Sequence, residues 1–266
     1  MRRVHAFEFH ERGECPRFIR ESIVETLGNG LRWGRIYHGV GALFAEFCRE
    51  ARCETVVDMC SGSGEPVDIL LNALRERLLP TPRFVLTDLL PNAPAMDRVA
   101  RRWPGLVEAV HTPVDATHVS RTLAREHDAR TVISAFHHFT PELAAAILGD
   151  AVASRRAVFI VEPCPRRAAG FLALLPALAI GMYANPLLTP RARLRKALFT
   201  YAVPLLPALG LWDGVVSMMR MYTRRELLDM VAPLGDDYRW SFARAPFTPG
   251  GHATVFAGIP CERLER

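Results

Sequence analysis

No long polar or low-complexity tract interrupts the 266 residues, and the six cysteines (15, 48, 53, 60, 164 and 261) include no C-x2-C pair. A zinc knuckle or thiol redox site would need that spacing. The cysteines are also too sparse for a secreted disulfide scaffold, so free thiols in a reducing cytosol are expected. The first thirty residues carry charges throughout and hold no apolar run followed by a cleavage site, so no signal peptide is expected. Charge of one sign is scarce too: 33 basic and 28 acidic side chains leave +5, too small an excess to mark a nucleic-acid binder. One dense basic run, Arg191 to Lys196, would make a local patch for an anionic surface or substrate. Half of the residues are apolar and 23% charged, the balance of a globular protein with one core and room for a modest insertion.

Periodicity divides the chain into three parts. Residues 1–53 read as a helical cap segment: Glu14 to Gly28 carries an apolar face that Gly28-Asn29-Gly30 would end, and Ile36 to Cys48 repeats the pattern. From residue 54 short β-branched runs alternate with helical stretches. The strands are Thr55–Met59, Arg83–Thr87, Val107–His111, Thr131–Ala135 and Ala157–Val161, with helices near 66–78, 93–102, 118–126 and 141–152. That rhythm predicts an α/β three-layer sandwich on a mostly parallel sheet. Residues 54–164 and 223–266 would form its core, closed by two strands, Asp237–Arg244 and His252–Gly258, across Pro249-Gly250-Gly251. Thr223 and Glu226 have the form of a helix-capping pair.

Residues 165–222 break the rhythm. Ala168–Pro190 and Ala197–Trp212 hold no charged side chain, and Pro176, Pro186, Pro204 and Pro207 argue against straight helices. The expectation is an apolar cap of short helices over an acceptor pocket. Contact with a membrane surface, and less readily a membrane span, are the alternatives.

Open parallel sheets hold ligands at the carboxyl ends of their strands. After the first strand stands Val57-Asp58-Met59-Cys60-Ser61-Gly62-Ser63-Gly64-Glu65-Pro66, where glycines let the backbone approach a ligand. No lysine follows, as a phosphate loop requires, and position 67 is valine where a dinucleotide fingerprint needs glycine. Acidic Asp58 and Glu65 suit a positively charged ligand better than a pyrophosphate. Asp88, after the second strand, can accept from both hydroxyls of a ribose. Asp115 and Ala116, after the third, lie where an exocyclic amine would be met.

In this order the chain resembles the class I S-adenosylmethionine-dependent methyltransferases of small-molecule type. The resemblance rests on residues 54–163, with Asp58-Met-Cys-Ser-Gly-Ser-Gly64 similar to the family's glycine-rich first motif and Ser134 to Phe139 similar to the stretch beside donor and acceptor. It implies a Rossmann-like fold, a seven-stranded sheet with the last strand reversed, and S-adenosyl-L-methionine as cofactor. The cofactor-binding set it suggests is Asp58, Cys60, Ser61, Gly62, Gly64, Asp88, Leu89, Asp115, Ala116 and Phe136, with Tyr37 reaching the carboxylate end. The Asn-Pro-Pro-Tyr type of motif used on adenine or amide substrates is absent, so a small-molecule acceptor is expected and no nucleic acid.

Methyl transfer to a hydroxyl or a protonated amine needs a base, and histidine has a suitable pKa. His137 and His138 are the candidates, with His38 a third from the N-terminal segment. Trp33, Glu162, Met182, Tyr183, Trp212 and Asp213 are the candidate acceptor-binding residues. No clear trio of carboxylates is visible, so a metal-independent reaction is expected. The resulting expectation is O-methylation, favoured over N-methylation, of an apolar or aromatic natural-product-like acceptor of secondary metabolism. The enzyme would be cytoplasmic, with a homodimer or a peripheral membrane contact left open. A lipid or isoprenoid methyltransferase, a nicotinamide-dependent oxidoreductase and a non-catalytic partner-binding subunit are the alternatives.

Overall fold

The computed structural model describes residues 2–189, 192–247 and 250–261. Helices α1 (Arg17–Trp33) and α2 (His38–Glu50) precede the alternating region of β1 (Thr55–Asp58), α3 (Glu65–Glu76), β2 (Arg83–Leu86), α4 (Ala93–Arg102) and β3 (Val107–Ala109). The alternation continues through α5 (Val119–Thr122), β4 (Ala129–Ile133), α6 (Pro141–Ala153) and β5 (Ala157–Glu162). An insertion follows, made of α7 (Ala168–Leu188), α8 (Arg193–Ala197), a π-helical turn and α9 (Leu205–Arg220). Then come α10 (Arg224–Val231) and the final pair β6 (Tyr238–Phe247) and β7 (Gly251–Pro260).

All seven strands join one sheet in the order β3-β2-β1-β4-β5-β7-β6. β1 to β5 run parallel, and β7 lies antiparallel to both β5 and β6. This is the seven-stranded Rossmann-like sandwich with a reversed last strand that the alternation and the resemblance imply. β4 and β5 are buried at every position, as central parallel strands covered on both faces must be. Alternate side chains enter two cores. Val56, Phe84 and Phe159 pack with α2, α3 and α7, while Val57, Val85 and Val158 pack with α6 and α10. Thr223 and Glu226 form the reciprocal cap of α10, with Thr223 N–H donating to Glu226 Oε2 at 2.8 Å.

Four local expectations change. First, α1 does not end at Gly28-Asn29-Gly30 but runs on to Trp33. These glycines serve close packing: a Cβ on Gly30 would stand 3.2 Å from the Ala177 carbonyl, and one on Gly181 only 2.7 Å from Gly30 N and the Thr26 carbonyl. Second, α7 is a single 21-residue helix with Pro176 and Pro186 inside it. An interior proline costs about 3 kcal/mol, and the tight seam with α1 supplies compensating contacts, including Asn185 Nδ2 donating to Thr26 Oγ1 at 3.2 Å. Third, the helix expected at 118–126 shrinks to a 3-10 turn and the four residues of α5. Ser120 is tied to Asp150 of α6 at 2.7 Å, and the backbone turns extended at Leu123 to return to β4.

Fourth, the basic run does not present one patch. Lys196 is buried and paired with Glu25 of α1, and Arg195 lies over the Phe18 ring at 4.5 Å. Arg191 of that run, and Pro249 of the expected closing turn, lie outside the described residues. By length and composition α7 is apolar enough to cross a membrane, with 39% of its most apolar window buried within the protein.

Candidate active site

At the carboxyl ends of β1, β2 and β4 opens a cavity of about 630 Å³. Its floor is the Cys60–Ser63 loop, Asp88 and Ser134–Ala135, and its roof comes from Leu27 and Leu31 of α1, Phe171, Leu174 and Leu178 of α7, and Met218 of α9. One end is polar and the other apolar. Among the described residues that line it there is no Lys or Arg.

Backbone conformation builds the polar end. Cys60, Gly62 and Gly64 all take positive φ, at 60°, 54° and 73°, which turns the loop sharply between β1 and α3. Glycine is required at 64, where a Cβ would stand 2.9 Å from Leu86 Cδ1 in addition to the backbone strain. Around Gly62 there is open space instead. Its N–H donates to Asp88 Oδ2 at 2.8 Å, and Leu90 N–H donates to Oδ1 at 2.9 Å. Asp88 is thereby fixed in the cavity wall with lone pairs to spare.

Asp58 stands behind the loop. It is buried and accepts from Ser61 Oγ at 2.6 Å and Thr131 Oγ1 at 2.7 Å. Burial raises its carboxyl to about 7 against the pull of these two donors. Tyr37 is also one layer back, its hydroxyl bonded to Ser134 Oγ, and burial pushes its phenol up.

A second polar stretch of the wall holds a dense set of titratable groups. His137 lines the cavity, and its Nδ1 lies 2.8 Å from Oε2 of buried Glu162, whose Oε1 accepts from His137 N–H at 2.8 Å. Burial and the nearby Arg220 charge depress His137 to about 3, while burial raises Glu162 to about 8. Both shifts disfavour charge, so the pair is electrically neutral near pH 7. His138 packs against His137 with ring centroids 4.1 Å apart, and its Nδ1 lies 2.5 Å from Glu11. Burial and the neighbouring His137 hold His138 below its ordinary value.

Here the N-terminal arm crosses the site. Arg220 of α9 donates to Glu8 Oε1 at 3.0 Å, Glu11 Oε2 at 2.8 Å and the Ala6 carbonyl at 2.9 Å. Arg3 donates to the Arg220 and Phe139 carbonyls at 2.6 and 2.8 Å. Asp213 accepts from Phe9 and His10 N–H, and its Oδ2 lies 3.0 Å from His10 Nδ1. Burial opposes protonation of His10, but Asp213 and Glu8 outweigh it and lift the imidazole above its usual value.

No family model and no characterised protein matches this chain in sequence. Solved structures do match in shape. The plantazolicin methyltransferase BpumL, solved in complex with SAH, superposes with a TM-score of 0.55 over 95% of this chain and 92% of its own, at 10% identity. The plantazolicin methyltransferase BamL, in complex with a triazolic desmethylPZN analog and SAH, gives 0.54 over 92% and 98%, at 9% identity. The chain has the class I methyltransferase fold. An O-methyltransferase family protein from Burkholderia thailandensis aligns at 14% identity and a TM-score of 0.49 over 86% of this chain, which spans 57% of that protein's length.

Within this methyltransferase fold, Cys60, Ser61, Gly62, Asp88, His137 and His138 all reach the cavity wall. Asp58, Tyr37, Glu162 and Asp213 stand directly behind it, each bonded to a wall residue. Gly64 shapes the loop without lining the cavity. Other expected residues lie elsewhere. His38 faces an outer groove with Arg35 and Glu76, because α2 presents it away from the strand tips. Trp33 is 40% exposed at the end of the lengthened α1. Leu89 points to solvent, and its neighbour Leu90 lines the cavity instead.

Asp115 caps the following turn, with one oxygen taken by the Thr117 N–H and hydroxyl, and Ala116 is core. Phe136 packs against Phe139 and Tyr222 on the other face of the sheet. Met182 lies against Gly210, Tyr183 is exposed, and Trp212 packs on Phe7 and Phe9 outside the cavity. Continuity of α7 explains the places of Met182 and Tyr183, since a single helix turns its Phe171, Leu174 and Leu178 face inward. The sequence reading missed Glu8, His10, Glu11 and Arg220. The closely spaced charges of Glu8-Phe9-His10-Glu11 were the available signal, but nothing local tied them to β4 or α9.

Proposed function

We propose that the chain transfers a methyl group from S-adenosyl-L-methionine to the oxygen of a small apolar or aromatic acceptor. One observation carries this reading: a single cavity joins a glycine loop and a fixed carboxylate to an apolar compartment, with no cationic side chain on its described wall. A phosphate-bearing dinucleotide would find no counter-charge there, whereas a cationic nucleoside fits. Asp88 would accept from the ribose hydroxyls, and Cys60 to Gly62 would follow the amino-acid part.

When bound, the cofactor supplies a methyl group on a positive sulfur, which leaves with its electron pair as the acceptor oxygen forms the new bond. The protein's part is alignment and proton removal. Leu27, Leu31, Phe171, Leu174, Leu178 and Met218 exclude water and hold an apolar acceptor. His137 would take the acceptor's proton, with Glu162 orienting its ring through Nδ1. The competent form has Glu162 ionised, so the fraction ready to react grows as pH rises through about 8.

Calorimetry tests the first half of this reading. The methyl donor should bind and nicotinamide dinucleotides should not; the reverse result would overturn it. A second reading is favoured by the outer apolar side chains of the insertion, with Leu172, Ile180, Leu187 and Leu194 exposed by 61%, 55%, 62% and 87%. On it the acceptor is a lipid or isoprenoid met at a membrane surface. Sedimentation with liposomes, or activity that depends on detergent, would favour that acceptor over a soluble one.

A further inference from the structure

Beside His137 lies a cluster that methyl transfer does not require. One ligating atom from each of Glu8, His10 and His138 lies within 4.8 Å of the other two, and all three residues line the cavity. Glu8 is fully buried, and its Oε2 has no hydrogen-bond partner, with His10 Nδ1 3.5 Å away. Arg220 engages only the other oxygen, Oε1. An orphaned carboxylate oxygen in such a place is costly, by about 1–3 kcal/mol or more. It is better explained by a ligand than by packing.

Two further features fit a cation. Each imidazole is held at Nδ1 by a carboxylate, His10 by Asp213 at 3.0 Å and His138 by Glu11 at 2.5 Å. Carboxylates in that position orient metal-binding histidines. The charges are also unbalanced. Three carboxylates meet one guanidinium here: Arg220 pairs with Glu8 and Glu11, while Asp213 pairs with His10.

We propose that Glu8, His10 and His138 bind a divalent transition-metal ion of the Zn2+ class at the wall of the cavity. Two imidazoles with one carboxylate suit Zn2+, Fe2+ or Co2+ better than Mg2+ or Ca2+, which prefer oxygen donors throughout. Ligand atoms on one tetrahedral Zn2+ stand about 3.4 Å apart, so modest side-chain rotations close the set. Three protein ligands leave a coordination position for water or for an acceptor oxygen, whose proton the ion would make easier to remove. That last consequence rests on the methyl-transfer reading; the site itself does not.

The test uses the full chain, stripped with chelator and titrated with Zn2+ by calorimetry and with Co2+ by visible absorption. One equivalent should bind, and the Co2+ spectrum should show the intense bands of a low-coordinate site. Glu8→Gln and His10→Ala should each weaken binding at least tenfold with thermal unfolding still cooperative, while His111→Ala, at an exposed pair with Asp97, should not. Asp213→Asn, one layer out, should weaken it less than His10→Ala. Absence of saturable binding, or equal binding in Glu8→Gln and the parent, overturns the proposal. Methyl-donor calorimetry on the metal-free chain reports separately on the transfer reading.

Discussion

The polar end of the cavity comes from one short stretch, residues 58–90, whose loop, glycines and Asp88 are locked by bonds among themselves. The rest of the wall, the apolar roof together with the titratable groups beside His137, is assembled from pieces far apart in sequence: the arm at 8–11, α1, the 134–139 turn, α7 and α9. Local backbone geometry builds the first, and tertiary packing builds the second. In a fold that hosts many chemistries, the locally built half is expected to hold the common ligand and the assembled half to choose the partner.

Substitutions can break this division, and the largest effect should come from the assembled half. Glu162→Gln keeps an acceptor for His137 N–H but cannot ionise. It should lower kcat by about 10²–10⁴-fold while leaving donor affinity intact. It should also abolish the rise in rate between pH 7 and 9 that is expected of the parent, because the Glu162 carboxyl is raised to about 8. A pH profile that keeps its rise in the variant would remove Glu162 from the mechanism. Asp88→Ala should do the converse. Losing two charge-assisted bonds, at about 1.5–3 kcal/mol each, predicts a drop in donor affinity of about 100-fold or more by calorimetry, with acceptor binding little changed.

A third substitution probes the roof. Gly181→Ala puts a Cβ 2.7 Å from the backbone of α1. Overpacking of this kind costs about 1–3 kcal/mol, a fall in Tm of about 2–4 °C for each kcal/mol. An unchanged melting curve would mean that the two helices are not in contact. The smallest effect belongs to Asp115→Ala. Its cap on Thr117 is worth about 1 kcal/mol, and donor affinity should fall less than in Asp88→Ala; a greater fall would make Asp115 the principal anchor.

The same division governs what could be read from the sequence. The sheet, its order of elements and the 58–66 loop were legible, because strand alternation and glycines at positive φ are properties of neighbours in the chain. Asp88 was legible as the residue after β2. The roof was not. Gly30 looks like a helix breaker until α1 and α7 are brought together, and Pro176 and Pro186 look like stops until that contact outweighs them. His38 and Trp33 were misplaced because a helix's facing cannot be known before its partner. Glu8 and His10 carried no periodic signal, since their roles depend on Asp213 and Arg220, some two hundred residues away.

The glycine seam has a consequence for how molecules get in and out. At Gly30 and Gly181 the backbones of α1 and α7 approach directly, and Asn185 bonds Thr26 across the same seam, so the pair is expected to move as a plate rather than as two shutters. The arm at residues 3–11 is fastened differently, by separable polar bonds to α9 and to the turn after β4. The arm is therefore the piece expected to give way for traffic through the cavity, and a covalent tether between the arm and α9 should trap whatever is inside.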